Sequence, residues 1–268
     1  MKYLTFPPPD SLKSFVRCFW VLEHDFGEGE SNYVYRSIAD SCVEIVFHYR
    51  GPFSEVGTAG QPRNWLSGLH FQTDRYTRFE TTESFGIFGV YIYPFAVPWL
   101  FNVPSANTSN ELLGLDTFLG VEGRELEERI MIASDNPSRI SILSNFLEQR
   151  LLRARFRDNT IAAAIKHVLH SKQLSTVADL ADTFNLSVRQ FDRKFKEYAG
   201  FSPKTYLRLV RLNNAIKGHA SGKSLTQIAY ECGYYDQSHF IHDVKAFTGY
   251  HPAFYFSGKA EGTEYWYV

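Results

Sequence analysis

The stretch from Tyr230 to Pro252, YECGYYDQSHFIHDVKAFTGYHP, brings histidine, cysteine and acidic residues close enough together to suggest a metal site. His239 and His242 are three residues apart, so in a helix they share one face and could bind one ion. However, no carboxylate or thiolate is in register with them to complete a tetrahedral ligand set. We therefore expect this stretch to present side chains to a partner, and we expect no metal ion and no cofactor.

A second group of chemically capable residues lies in the amino-terminal half. Asp40, Glu44 and His48 are separated by even numbers of residues, so in a strand they share one face. Cupin-like metal enzymes need clustered histidines with a glutamate, whereas His24, His48 and His70 are scattered singly along the sequence. A hydrogen-bonded structural contact explains these residues more simply. We expect no enzyme activity and no catalytic residue, and a metal-dependent enzyme is the alternative.

Composition limits the class of protein. The chain has 268 residues, of which 44% are hydrophobic, enough for one large domain or two modest ones with buried cores. It shows no apolar run of signal-peptide type and none approaching the ~20 residues of a membrane span, so we expect a cytoplasmic protein without a membrane partner. Its three cysteines form no CxxC pair and are expected to be small buried hydrophobes.

Charge is distributed unevenly. The whole chain has a net charge of −1, which by itself argues against nucleic acid binding. Residues 159–268, however, contain 13 Lys and Arg against 9 Asp and Glu, whereas residues 1–158 contain 15 against 20. The carboxyl-terminal half is therefore mildly basic.

The carboxyl-terminal half contains an internal repeat. The segments VADLADTFNLSVRQFDRKFKEYAGFSP and LTQIAYECGYYDQSHFIHDVKAFTGYHP align with one inserted residue. The matched positions pair Val177, Leu180, Ala181, Leu186, Phe191, Phe195, Gly200 and Pro203 with Leu225, Ile228, Ala229, Tyr234, Phe240, Val244, Gly249 and Pro252. They are mainly the apolar, glycine and proline positions, which are the ones that define a fold.

Each repeat predicts a short helix, a tight turn and a second helix, which together make a helix-turn-helix. Capping boxes are expected where Ser224 precedes Gln227 and, in a weaker form, where Thr176 precedes Asp179. The other boundaries come from N-cap side chains, terminal glycines and first-position prolines, which are Ser187 and Asp236, Gly200 and Gly249, and Pro203 and Pro252.

The second helix of each repeat has an apolar face and a polar one. In the first repeat the apolar stripe is Val188, Phe191, Phe195 and Tyr198, and Arg189, Arg193 and Lys196 lie opposite. In the second repeat the stripe is Phe240, Val244 and Phe247, with Ser238, His242 and Lys245 outward and Gln237 and His239 at the edges. A solvated face would explain either helix alone, but the duplication favours two faces that are kept free for a partner.

These residues carry a resemblance. The segments LSVRQFDRKFKEYAGFSPKTYLRLVRLNNAI and SLTQIAYECGYYDQSHFIHDVKAFTGYHP resemble the DNA-binding domain of the AraC/XylS family of bacterial transcription regulators. The resemblance implies an all-α domain at residues 159–257 with seven helices, in which PKTYLRLVRLNNAIKGH joins two helix-turn-helix subdomains. It also implies that two recognition helices enter successive major grooves, about 34 Å apart, on double-stranded DNA.

The resemblance also implies which residues contact DNA. Base-edge contacts would come from Arg189, Asp192, Arg193, Gln237, Ser238 and His242. Phosphate contacts would come from Lys194, Lys196 and Lys245. The sequence departs from the family where His242 replaces the common arginine and Val244 the common phenylalanine. Because histidine is mostly neutral near pH 7, the second subdomain is predicted to bind DNA more weakly or in a pH-dependent way.

The amino-terminal half has strand character. VYRSIADSCVEIVFHY, RYTRFETT and FGIFGVYIYPF are rich in β-branched and aromatic residues and are separated by Gly and Pro. The expected class is therefore α+β: a β-rich cupin-like barrel or sandwich at 1–120, a helical connector at 121–158, the DNA-binding domain at 159–257 and a tail at 258–268.

The connector is predicted to contain two helices, the second with Asn136 as N-cap and Pro137 at its first position. Its apolar stripe is Ile140, Leu143, Leu147 and Leu151. This stripe could be a dimer seam or could pack against the chain's own strands, and the sequence does not separate the two.

YRSIADSCVEIVFHY and the region from FGIFGVYIYPF to DTFLG resemble an uncharacterised amino-terminal domain found on a subset of these regulators. In better-known relatives the equivalent region is a cupin-like barrel that binds a small effector and dimerises. If there is such a pocket, apolar walls with a few polar groups should line it. The candidates are Arg36, Glu44, Trp65, Tyr91, Tyr93 and Trp99.

The sequence therefore predicts a DNA-binding transcription regulator, controlled by a small-molecule effector or by dimerisation, that acts on RNA polymerase. The expected partners are double-stranded DNA, RNA polymerase, an effector and a second copy of the chain. The alternative is a cupin-like metal-dependent enzyme with an appended DNA-binding domain.

Overall fold

A computed structural model describes residues 1–56, 64–154, 159–171, 175–219 and 223–263, with the backbone alone at 64 and 65. The strands are β1 (Lys2–Phe6), β2 (Val16–His24), β3 (Tyr33–Ser37), β4 (Val43–Arg50), β5 (Phe53–Glu55), β6 (Asn64–Trp65), β7 (Ser67–His70), β8 (Thr77–Thr81), β9 (Phe85–Ile92) and β10 (Leu112–Gly114). The helices are α1 (Val97–Phe101), α2 (Leu115–Leu119), α3 (Val121–Met131), α4 (Asn136–Arg153), α5 (Asn159–His170), α6 (Val177–Thr183), α7 (Val188–Ala199), α8 (Pro203–His219), α9 (Leu225–Glu231), α10 (Gln237–Thr248) and α11 (Pro252–Tyr255). The α+β class is confirmed.

The amino-terminal domain is a sandwich of two antiparallel sheets. The larger sheet has the order β1-β2-β9-β4-β7-β10, and the smaller has the order β3-β8-β5-β6. The strands alternate as a buried sheet requires. In β2, Trp20 and Leu22 face the smaller sheet, whereas Phe19 and Val21 face the helices. The larger sheet is therefore covered on both faces.

The helices pack on the outer face of the larger sheet. Leu143 and Leu147 of α4 are fully buried in the same apolar cluster as the sheet residues, and Ile140 and Leu151 pack against that cluster. The apolar stripe of α4 thus packs within its own chain. No helix among the described residues has the length and apolar character needed to cross a membrane.

The start of α4 corrects one prediction. Asn136 is the first helical residue, and the N-cap is Asp135, whose carboxylate accepts a hydrogen bond from the Ser138 amide at 2.8 Å. Asn136 instead accepts a hydrogen bond from Arg139 at 3.0 Å. A carboxylate one residue earlier competes better for the free amide groups of the first turn, because it also interacts favourably with the helix dipole.

The carboxyl-terminal domain has the predicted repeat. α6 and α7 form the first helix-turn-helix unit, α9 and α10 form the second, and α8 joins them. Both predicted capping boxes are present, Thr176 with Asp179 and Ser224 with Gln227. Ser187, predicted as an N-cap, also forms a full box with Gln190. The turn glycines Gly200 and Gly249 have φ values of 84° and 79°, the left-handed region that favours glycine.

Candidate nucleic-acid interface

The first candidate recognition helix is α7. Its N-cap Ser187 accepts a hydrogen bond from the Gln190 amide at 3.3 Å, and Gln190 Oε1 accepts one from the Ser187 amide at 3.2 Å. Phe191 and Phe195 are fully buried, as the apolar stripe predicts. This pattern fixes both the start of the helix and the rotation about its axis.

The outward face of α7 is basic. The predicted base-contacting residues Arg189, Asp192 and Arg193 are all exposed, as is Lys196, while Lys194 is half-buried. Val188, which the stripe placed in the core, is 52% exposed, because it is the first helical residue and extends beyond the packed turns. The face available to a partner therefore begins at the amino-terminal end of the helix.

The second candidate recognition helix is α10. Its N-cap Asp236 accepts a hydrogen bond from the His239 amide at 2.7 Å. Its buried face is the predicted stripe of Phe240, Val244 and Phe247. The predicted contacts Gln237, Ser238, His242 and Lys245 are exposed, and His239 is half-buried.

The two helices differ in charge at their amino-terminal ends. Both have unpaired backbone amides there, which favour an anion such as a phosphate. The N-cap of α7 is the neutral Ser187, whereas that of α10 is the acidic Asp236. The carboxylate of Asp236 offsets part of the positive end of the helix dipole, so α10 attracts phosphate less strongly than α7.

The sequence reasoning missed one residue of α10. Asp243 is fully buried, and its Oδ1 accepts hydrogen bonds from Arg208 Nε at 3.0 Å and from Arg208 Nη2 at 2.7 Å. His242 Nδ1 lies 3.6 Å from the same oxygen, and His239 Nε2 lies 3.8 Å from Oδ2. Asp243 follows Phe240 by three residues on the buried face, and an acid at such a position calls for a cationic partner.

Helix α8 connects the two units mechanically. It has 17 residues, which makes it about 26 Å long. Near its start, Tyr206 is fully buried, with its ring 5.3 Å from that of Phe195 in α7. Two residues further along α8, Arg208 Nη2 donates a hydrogen bond to Asp243 of α10. The same helix thus contacts both candidate recognition helices.

A cavity of about 30 Å³ lies between the two sheets of the amino-terminal domain, with room for about two water molecules. Its lining includes Trp20, Glu44 and His70. Glu44 pairs in register with Tyr91 across β4 and β9 and is hydrogen-bonded to the tyrosine hydroxyl. Burial raises the pKa of Glu44 to about 7 and lowers that of His70 to about 3, so His70 is neutral at physiological pH.

Arg36, Tyr93 and Trp99, which were also proposed for an effector pocket, do not line this cavity. Arg36 lies at the contact with the carboxyl-terminal domain, and Trp99 packs in the main core against Phe15. Tyr93 lines a second cavity, of about 150 Å³, between the two domains. The side chain of Trp65 lies outside the described part of the structure. Within the described ranges, no group of three or more His, Cys, Asp or Glu residues could hold a metal ion.

Two families match this chain in separate parts. Residues 180–258 match a family described as a helix-turn-helix domain. Residues 4–113 match DUF6597, a domain of unknown function. The first range covers most of both repeat units, and the second covers nearly all of the two-sheet sandwich.

Curated relatives match part of this chain. The chain is 30% identical over 141 residues to the HTH-type transcriptional activator RhaS of Escherichia coli O9:H4 (strain HS), which covers 52% of this chain and 42% of that protein. It is 43% identical over 63 residues to RhaS of Citrobacter koseri, which covers 23% of this chain and 22% of that protein. The chain thus spans less than half the length of these relatives.

A solved structure supports the overall fold. ToxT from Vibrio cholerae aligns with 96% of this chain and 98% of its own, with a TM-score of 0.50 and 13% sequence identity. At that identity the likeness concerns the fold alone. It extends over both domains, so the arrangement of a β-rich domain before a helical one is common to the two proteins.

Proposed function

The carboxyl-terminal part of this chain is an AraC-type helix-turn-helix domain, and on that premise we propose that the protein is a sequence-specific DNA-binding transcription regulator. One observation carries the proposal. The two repeat units leave equivalent polar helix faces exposed, on α7 and on α10, while their apolar faces are fully buried. If these faces were only solvated, nothing would require the same exposed polar face in both units.

The roles of the exposed residues follow from their chemistry. Arg189 and Arg193 have the two-pronged guanidinium that suits the O6 and N7 atoms of guanine, and Gln237 suits adenine. Asp192, Ser238 and His242 occupy the remaining base-facing positions of the two helices. Lys194, Lys196 and Lys245 are assigned to phosphates, as are the backbone amides at the helix starts.

The experiment is selection of bound duplexes from a random DNA pool by the full chain at two salt concentrations. Two enriched blocks about one helical turn apart are expected, since each recognition helix would read one major groove. Arg193→Ala should relax specificity at one base position of one block and Gln237→Ala at one position of the other, which assigns each unit to its half-site. Absence of enrichment at both salt concentrations would contradict the proposal.

We further propose that a small ligand controls the protein from the cavity between the domains. Its lining combines Arg17 and Tyr93 of the amino-terminal domain with His170 of α5 and Lys217 of α8. The two cations, Arg17 and Lys217, favour an organic anion. The anion would have to be compact, because about 150 Å³ is less than the roughly 300–1,000 Å³ of typical ligand pockets. Thermal unfolding with a panel of small carboxylates should show stabilisation that Arg17→Ala and Lys217→Ala each abolish.

RNA polymerase is the protein on which such a regulator would act, and a homodimer is the assembly that the family resemblance implies. A dimer would have to use a surface other than the apolar stripe of α4, which is buried in this chain. A metal-dependent enzyme has less support, since the described residues offer no ligand set. A stoichiometric transition metal in the purified protein would reverse that judgement.

A further inference from the structure

The amino-terminal domain contacts both recognition helices at the same position of the repeat, the terminal glycine. The carbonyl oxygen of Gly200, at the end of α7, accepts a hydrogen bond from Ser109 Oγ at 2.8 Å. A Cβ atom at Gly200 would overlap the side chain of Gln72. At the end of α10, a Cβ atom at Gly249 would lie 2.5 Å from Arg36 Nη1 and 2.6 Å from Tyr76 Cε1. Both glycines are therefore packed against the other domain.

One loop takes part in both contacts. We call residues 71–76, which connect β7 to β8, the bridging loop. Gln72 contacts the end of α7, and Tyr76, four residues later, contacts the end of α10. Gln72 is fully buried, and its Nε2 donates hydrogen bonds to Ser105 O at 2.9 Å and to Ser109 Oγ at 3.0 Å. One short segment of chain therefore contacts the ends of both recognition helices.

The bridging loop is hydrogen-bonded to its own domain. The Thr73 amide donates a hydrogen bond to Asp40 O at 3.0 Å. Asn110 Oδ1 accepts from Thr73 Oγ1 and from the Asp74 amide, both at 3.0 Å, and the Asn110 amide donates to Gln72 O at 2.9 Å. These four bonds tie residues 72–74 to the rest of the amino-terminal domain, which limits movement of the loop between its two contact points.

The contact at α10 is a polar clamp built on Arg36. Its Nε and Nη2 donate to Glu261 Oε2 at 3.1 and 3.0 Å, and its Nη1 donates to Thr248 O at 3.3 Å. The guanidinium lies between the rings of Tyr76 and Tyr250, at 4.3 and 4.2 Å from their centroids. Arg36 is only 8% exposed, so these charge-assisted and cation–π contacts are little screened by water.

We propose that the bridging loop and the Arg36 clamp set the spacing and rotation of the two recognition helices, which makes Arg36, Gln72 and Tyr76 positioning residues for two-site DNA recognition. This inference rests on the proposed DNA-binding function. The physical reason is geometric: two helices must meet successive grooves about 34 Å apart, and a small rotation of one unit removes its base contacts. Helix α8 and the Arg208–Asp243 pair constrain the units from one side, and the bridging loop constrains them at the helix ends.

The first test uses Glu261→Gln and Tyr76→Ala, alone and combined, with Glu83→Gln as the matched control. Glu83 is exposed at the turn between β8 and β9 and takes no part in the hydrogen bonds that Arg36 makes in the clamp. Affinity is measured for duplexes with both selected half-sites at their natural separation, at separations changed by one and two base pairs, and for one half-site alone.

The natural separation should be preferred over the altered ones in the parent protein and in Glu83→Gln. In the clamp variants we expect that preference to fall roughly three- to tenfold, in line with weaker contacts from Glu261 to Arg36 and Arg78 or with the loss of the Tyr76 ring, while affinity for one half-site stays unchanged. A spacing preference identical to that of the parent would overturn the proposal. An equal loss on the single half-site would also overturn it, because general damage would then explain the result.

The second test needs no DNA and so separates this inference from the proposed function. Hydrogen–deuterium exchange of the backbone amides near Gly249 should be faster in Glu261→Gln and Tyr76→Ala than in the parent. Exchange near Gly200 should speed up in Ser109→Ala instead. Unchanged exchange at both glycines would show that these contacts do not hold the helix ends. If the parent protein selects no DNA sequence, the proposed function fails, and the exchange result still decides whether the clamp exists.

Discussion

The two helix-turn-helix units share one sequence pattern but are attached to the rest of the molecule in different ways. Phe191 and Phe195 of the first unit belong to the same apolar cluster as Phe88 and Val90 of the larger sheet. The second unit has a core of its own, to which the amino-terminal domain contributes Ala39, with Ile38 at its edge. The first unit is thus joined by a continuous core, and the second chiefly by a polar clamp.

This difference bears on which unit can move. Separating the first unit would expose large apolar surfaces on both sides, at a cost that rises with the area exposed. Separating the second would break the Arg36 clamp and the hydrogen bond from the Ala39 amide to Phe247 O at 3.1 Å. Polar contacts can be replaced by water, so regulation that repositions one unit would act on the second.

The largest expected effect comes from matched core truncations. Phe195→Ala and Phe240→Ala each remove a fully buried ring and should lower the free energy of unfolding by about 3–5 kcal/mol. Phe195→Ala should also speed amide exchange in β4 and β9, because the core is shared, whereas Phe240→Ala should act on α9 to α11 only. Tyr230→Ala, at a residue 82% exposed, is the control. Equal loosening of the sheet by both truncations would mean that the units are equally coupled to it.

The next effect depends on pH. Burial raises the pKa of Glu44 to about 7 from an ordinary 4.5, so the folded state binds its proton more tightly than the unfolded state does. The resulting stabilisation is complete below about pH 4.5 and is lost as pH rises to about 7, at a cost of up to about 3 kcal/mol. Glu44→Gln should remove this slope.

Urea unfolding of the parent and of Glu44→Gln at about pH 5 and pH 8 measures the effect. Both proteins keep His70, whose lowered pKa acts in the opposite direction at acid pH, so their difference isolates Glu44. The loss of stability at high pH should also speed amide exchange in the first unit, which shares the core of the amino-terminal domain. Amide exchange in the second unit should stay unchanged. A slope of the same size in Glu44→Gln would contradict this assignment.

The smallest effects concern DNA binding itself. Arg193→Ala should cost about 1–3 kcal/mol at one base position and relax specificity there. Lys196→Ala should weaken all sequences alike and lower the salt slope by about one. His242→Ala should cost less than Arg193→Ala, since an imidazole cannot form the paired hydrogen bonds of a guanidinium. Affinities at two salt concentrations test the three together, and a larger loss for His242→Ala would reverse the ranking of the two units.

The parts of this structure that depend on short-range sequence were predictable. The capping boxes, the two left-handed glycines and the buried phenylalanine stripes all follow from residues within one or two helical turns. The errors there are small: Asp135 rather than Asn136 caps α4, and Val188 extends beyond the packed turns. Asp243 could have been found as well, as an acid on a predicted buried face.

The contacts between the domains could not be predicted in this way. Arg36 was proposed for an effector pocket as one of a few polar groups among apolar walls, but it bonds Glu261, 225 residues away. Nothing in the local pattern of β3 indicates a partner at that distance. Gln72 carried no sequence signal at all, because a single polar residue in a loop is common. Its role depends on where another domain places Gly200.

The sequence separation within the clamp has a consequence for folding during synthesis. Glu261 leaves the ribosome 225 residues after Arg36, by which time the amino-terminal sandwich and the first unit can already be packed. The clamp therefore forms later than the interdomain contacts of the first unit. In a nascent chain that stops before Glu261, the first helix-turn-helix unit would be packed in place and the second would lack the clamp. One-site DNA binding should therefore precede two-site binding as the protein is made.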